Sequence, residues 1–143
     1  MTDAAVESPL LTQMPSAELG DAATLYQPLI GQWEVEAIDF AADGTRRTAV
    51  GEWHFGWALD GRALADVWLS PSRAARATGA RDGEWGLSLR FWDGLVLEGE
   101  RDDVRLHWIF SDITPTSFQW RAEEAEPGAD FRVRQRFTAT RSR

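Results

Sequence analysis

AVGEWHFGWALDGRALADVWLSPSR, residues 49–73, holds three of the chain's eight tryptophans and a central Asp60-Gly61 pair. Asp-Gly between two apolar-rich segments predicts a two-residue β-hairpin loop of type I′. Both central residues of that turn need positive φ, and its twist matches that of the flanking strands. Leu59 then lies opposite Arg62, and stepping outward pairs Trp57 with Leu64, Phe55 with Asp66 and Trp53 with Trp68. Period-two alternation puts all of these on one face. The other face carries Glu52, His54, Gly56, Ala65 and Val67. The bulky aromatic face, with one carboxylate embedded in it, is the predicted interior.

The rest of the chain phases against this hairpin. Residues 1–20 are small, polar and interrupted by proline, which predicts a mobile tail. Asp21 is placed to cap a short helix running to Gln27 and stopped by Pro28. In 29–40, Gln32, Glu34 and Glu36 alternate with Trp33, Val35 and Ala37, so Trp33 points inward. Ala42-Asp43-Gly44 is a turn, and 71–83 is a polar loop rich in Arg, Ala and Gly, a lid or a plain connection. In 85–92, Trp85, Leu87, Leu89 and Phe91 form the apolar face, with Ser88, Arg90 and Trp92 opposite. Asp93-Gly94 is a second turn. Further on, Leu106, Trp108 and Phe110 face in, as do Phe118 and Trp120. On the last strand Phe131, Val133, Gln135, Phe137 and Ala139 share one side, and Arg132, Arg134 and Arg136 form a solvated row on the other. About eight antiparallel strands after a short N-terminal helix describe an all-β up-and-down barrel over residues 21–143, a single domain whose closure removes exposed edges.

Composition narrows the function classes. The net charge of −8 argues against a nucleic-acid or anionic-membrane partner, since both want a basic footprint. All fifteen cationic residues are arginine. The absence of cysteine excludes disulfides, thiolate nucleophiles and cysteine metal sites. The N-terminus has neither the basic nor the apolar segment of a signal peptide. No apolar run approaches the roughly 18 residues of a membrane helix. A cytoplasmic protein is the expectation.

Gly31-Gln32-Trp33, after a short helical lead-in, resembles the Gly-x-Trp signature on the first strand of lipocalin and calycin barrels. In lipocalins an arginine near the C-terminus packs across that tryptophan, and the resemblance makes Arg141 the matching residue. The order PLIGQW, GEWHF, LDGRALADVWLSP, GLSLRFWDG, LVLEGE, HWIFSDITPTSFQWR and RQRFTATR is similar to that of small bacterial calycin-like proteins of unassigned function, over roughly residues 28–141. Those relatives carry two further strands between the GLSLRFWDG-like and LVLEGE-like segments, which Asp93-Gly94 joins directly here. The resemblance implies a calycin-like barrel and brings no catalytic assignment.

Barrels of this strand number either fill with side chains or hold one small ligand. His54 and His107, the two histidines, both phase outward. The haem-binding barrels of the nitrobindin kind, a more distant resemblance, need a histidine in the cavity. No metal or cofactor is therefore expected. No Gly-x-Ser-x-Gly motif supports a serine triad. Asp66 is the sharpest feature, because a buried carboxylate must be paired or have a raised pKa. It is either half of an ion pair that sets the register, with Arg62 or Arg141, or a ligand anchor or general acid/base. The leading expectation is binding of a small, largely apolar ligand in the interior. Trp33, Trp53, Phe55, Trp57, Trp68, Trp108 and Trp120 would form the walls, and Arg62, Asp66 and Gln135 the polar contacts. The alternatives are a barrel isomerase, cyclase or dehydratase using Asp66, and a ligand-free module that forms a homodimer through an outer face such as that of His54, Ala65 and Val67.

Overall fold

The computed structural model describes residues 12–81, 83–90 and 96–143. Eight strands form one antiparallel sheet: β1 (Gly31–Phe40), β2 (Arg46–Ala58), β3 (Ala63–Ser70), β4 (Glu84–Arg90), β5 (Val96–Arg101), β6 (Val104–Ser111), β7 (Ser117–Ala125) and β8 (Arg132–Arg141). Their spatial order is β4-β3-β2-β1-β8-β7-β6-β5. The meander is thus closed on itself by the β1–β8 ladder, and the sheet curls into a half-barrel whose two edges are β4 and β5. The expectations for Phe91, Trp92 and Asp93-Gly94, which fall between those edges, and for residues 1–11 lie outside the described residues.

The β2–β3 hairpin has the deduced register: Trp57 pairs with Leu64, Phe55 with Asp66 and Trp53 with Trp68. Asp60 (φ 55°) and Gly61 (φ 78°) both have the positive φ of a type I′ turn, and Arg62 N–H donates to Leu59 O at 3.1 Å. All six of those paired side chains are buried. Trp53 is the hub of the interior, with its ring within 6 Å of those of Phe55, Trp68, Phe110, Phe118, Trp120 and Phe137. Edge-to-face and tilted geometries dominate, the arrangement that ring quadrupoles favour.

One end of the barrel is sealed. Helix α1 (Asp21–Tyr26) runs into a 3₁₀ turn, Gln27–Leu29, that buries Tyr26 and Leu29 beneath the strands. Trp33 Nε1 donates to Leu29 O at 2.8 Å. The Arg141 guanidinium lies 4.2 Å from the centre of the Trp33 ring and donates to the carbonyls of Ile30, Pro28 and Pro115. Gly31, at φ 128°, leaves room for it: a Cβ there would collide with Arg141 Nη1. Arg141 therefore stands where the calycin resemblance puts the arginine. Residues 12–20, expected to belong to a tail, carry contacts of their own. Thr12 N–H donates to Trp57 O and Ser16 N–H to Gly61 O, both at 2.9 Å, and Leu19 is buried.

Several local expectations are corrected. The N-cap of α1 is Gly20 rather than Asp21, which occupies the first turn, and Pro28 continues the chain into the 3₁₀ turn rather than stopping it. Strand β4 is turned over relative to its apolar pattern. Glu84, Gly86, Ser88 and Arg90 pair with the inward residues Ser70, Trp68, Asp66 and Leu64, so Trp85, Leu87 and Leu89 point outward. A bulge where Ala122 pairs with Gln135 but Glu123 pairs with Val133 gives β8 one extra residue, Arg134. Arg134 thereby leaves the solvated row. It donates to Phe40 O and pairs with Glu124 at 3.1 Å. Phe131, before the bulge, stacks on outward-facing His107 with ring centres 3.8 Å apart rather than entering the interior.

Candidate functional site

The interior is not filled. A cavity of about 200 Å³ lies between β2–β4 and β6–β8, walled by Trp53, Trp68, Trp108, Trp120 and Phe137, with Asp66, Ser88, Arg90, Glu84 and Gln135 as its polar lining. Toward the open end it meets a wider recess of about 670 Å³ that shares Glu84, Trp108 and Gln135. Arg46, Arg47, Arg101 and Arg134 ring that recess together with Asp39 and Glu124. The open end is thus charged and the sealed end apolar. Trp108 faces inward yet is 39% exposed, because the cavity reaches solvent beside it.

The polar wall is built by β2, β3 and β4. Asp66 Oδ1 accepts from Trp53 Nε1 and Oδ2 from Arg90 Nε, each at 2.8 Å. Asp66 and Arg90 are 2% and 5% exposed. The Arg90 guanidinium also sits 5.0 Å from the Phe110 ring centre. Two charges out of water need both each other and further hydrogen bonds, and this pair has a direct ionic contact, an indole donor and an aromatic face. Trp68 Nε1 donates to Glu84 Oε1 at 3.0 Å, and Gln135 Nε2 to Asp39 Oδ1 at 2.7 Å. Among the described residues, the indole N–H groups of Trp57 and Trp120 are buried without an acceptor.

Of the ten residues named from the sequence, Trp53, Asp66, Trp68, Trp108, Trp120 and Gln135 line the cavity. Trp33 and Trp57 are fully buried at other positions and Phe55 packs among the central rings. Arg62 is not inside: it sits at the hairpin tip, half-exposed, and pairs with Glu18 at 3.0 Å and Asp60 at 3.8 Å. Its assigned place beside Asp66 belongs to Arg90, which the apolar pattern of β4 had put outside. The signal that could have found Arg90 was the carboxylate itself, since a cation reaching Asp66 from β4 has to point inward. His54 and His107 are on the outer face, and no cluster of three or more metal-ligating side chains occurs among the described residues.

Above the open end, the described part of the 71–83 loop contains a short helix α2 (Arg73–Ala77), capped by Ser72 Oγ, which accepts from Ala75 N–H. Glu52 on the outer face of β2 ties it down. Glu52 Oε1 accepts from Arg73 N–H (2.6 Å) and Nε (2.9 Å), and Oε2 lies 2.9 Å from His54 Nε2. Partial burial acts to raise the Glu52 pKa, but the hydrogen bonds from Arg73 and His54 and the Arg73 charge outweigh it and hold the carboxyl at about 2.

No family model matches the chain, and no curated protein matches it. Among solved structures the chain is similar to the S-type phycobiliprotein lyase CPES from Guillardia theta, with a TM-score of 0.58 and 8% sequence identity, over 90% of this chain and 99% of that one. At that identity the likeness is one of fold. The chain shares that fold: eight antiparallel strands in an up-and-down half-barrel, with no ladder between β4 and β5 among the described residues.

Proposed function

We propose that the barrel binds a small, planar, largely apolar molecule in the chamber between Trp53, Trp68, Trp108, Trp120 and Phe137. The observation that carries this reading is the chamber itself, an aromatic-lined space of about 200 Å³ in an otherwise packed interior. Apolar cavities near 150 Å³ take benzene, so this one suits one or two fused rings. A few fixed polar groups in an aromatic wall are what a small-molecule site requires. The charged recess above leaves room for a polar substituent.

The structural neighbour is named as a lyase, so enzymatic chemistry on this fold has a precedent. An acid/base role for Asp66 is the less favoured reading here. Each of its oxygens already accepts a 2.8 Å hydrogen bond, one from a buried arginine, an arrangement that fixes the carboxylate in place and occupies both of its oxygens.

Native mass spectrometry of the purified protein, set against its denatured mass, tests the binding reading. We expect added mass that leaves on denaturation, or, for a bare protein, quenching of tryptophan fluorescence by two-ring probes such as quinoline or 1-naphthol. A bare protein that ignores both probes at saturation contradicts it.

A further inference from the structure

We propose that β4 is a self-complementary edge through which two copies of this chain pair, antiparallel, about a twofold axis at Leu87. Three observations lead there. First, among the described residues β4 is hydrogen-bonded only to β3, and β5 only to β6. The far side of β4 therefore presents unpaired backbone groups, a template for another strand. Second, its outward side chains are apolar and in water: Trp85, Leu87 and Leu89 are 59%, 74% and 50% exposed. Their neighbours across the β3 ladder, Leu69, Val67 and Ala65, extend the same patch, and contiguous apolar surface of this kind marks an interaction site.

Third, the order of residues in EWGLSLR fits a second copy of itself. With Leu87 opposite the second copy's Leu87, Trp85 faces Leu89, Gly86 faces Ser88, and Glu84 faces Arg90. The strand's two charges, Glu84 and Arg90, also fall in one pair, but on the inner face, where Arg90 already holds Asp66 and Glu84 accepts from Trp68 Nε1, so they are compatible with the register and add no new ion pair. Cross-strand aromatic–aliphatic and opposite-charge pairs stabilise a ladder, and like charges oppose it. This register contains no like-charge pair. The other edge is built differently: β5 puts Glu98 and Glu100, both exposed, on its outer face, the kind of charge that keeps an edge from pairing. An isologous contact also closes after two copies and does not propagate into fibres.

A chain without cysteine makes the test direct. On the proposed axis, two copies of position 87 bring their Cα atoms about 4.5–5.5 Å apart, within disulfide reach. Two copies of position 85, or of position 89, lie four residues apart along the ladder, about 13 Å, and are out of reach. Mild oxidation should therefore give a disulfide dimer of twice the 16.0 kDa chain mass from Leu87→Cys, and none from Trp85→Cys or Leu89→Cys. In light scattering the wild type should be dimeric and Leu87→Arg a monomer with an unchanged circular dichroism spectrum. Association should tighten as salt rises, because each copy carries a net charge of −8. A wild type that stays monomeric to millimolar concentration overturns the proposal. So does a dimer that survives Leu87→Arg, or cross-linking that is equal at 85, 87 and 89.

Discussion

Asp66 and its partner show what decides a side chain's direction in this protein. The carboxylate faces inward because the Asp60-Gly61 turn sets the β2–β3 register, and that much follows from the turn chemistry of one hairpin. The identity of its cation does not. Arg62 is close in sequence and on the nominal inner face, but at the turn its side chain escapes to Glu18 and Asp60. A charge that can reach water stays there, while Arg90, one strand further on, is already covered and completes the pair. Breaking a buried pair by removing one partner costs about 3–5 kcal/mol, whereas an exposed pair is worth about 0–1 kcal/mol. Arg90→Met should therefore lower the urea-unfolding free energy by an amount in the first range and Arg62→Ala by an amount in the second. Equal losses would mean that the β4 side of the interior is not arranged as described.

At the scale of elements, hairpin register and inward faces were legible wherever alternation was clean: β1, β2, β3 and β7 bury the residues that period two selects, and β6 turns its selected residues inward but buries only Phe110. Strand β4 failed that reading for a physical reason. Its alternation is strong, but Arg90 is needed at Asp66 and Glu84 at Trp68 Nε1, and the strand turns its leucines to the outside to supply them. The β8 bulge was illegible for another reason: one extra residue leaves no mark in the alternation itself, and it moves Arg134 and Phe131 to new neighbours.

Glu52 anchors the start of the α2 segment, beside the Ser72 N–H to Val50 O bond and the Arg76 guanidinium over Trp85, and its ionisation gives a pH signature. Its folded-state pKa of about 2 lies below the ordinary 4.5. The stabilisation is thus fully present above about pH 4.5 and is lost as pH falls toward 2. Hydrogen exchange at residues 73–78 should stay slow from neutral pH to about 5 and show opening below about 4. Glu52→Gln should raise exchange there already at pH 7 while leaving β1 and β8 protected. Protection unchanged in that variant would show that the Arg73 tether does not hold the loop.

On the scale of the whole molecule, the two ends of the barrel do different things. Leu29, Trp33 and Arg141 seal one end with a guanidinium over an indole ring and carbonyl hydrogen bonds, and the chamber opens at the other between charged walls. The barrel class and most of its aromatic wall could be read from the chain. Whether that wall encloses space could not, because the volume left over depends on how far β4 stands from β5 and on which β4 residues point in. Gly86 is decisive here. It faces the chamber, and a Cβ at that position would meet only Trp68 Cβ, at 3.8 Å. Larger side chains at position 86 therefore enter the space a ligand would occupy.

The most direct test of the binding site is a fluorescence and calorimetric titration of a two-ring probe, quinoline, into the wild type and Gly86→Leu. Saturable binding with tryptophan quenching is expected in the wild type. In Gly86→Leu that binding should be lost, with an unchanged circular dichroism spectrum and an equal or higher melting temperature. Binding of equal strength to both proteins would place the probe elsewhere and contradict the assignment of the chamber as the site.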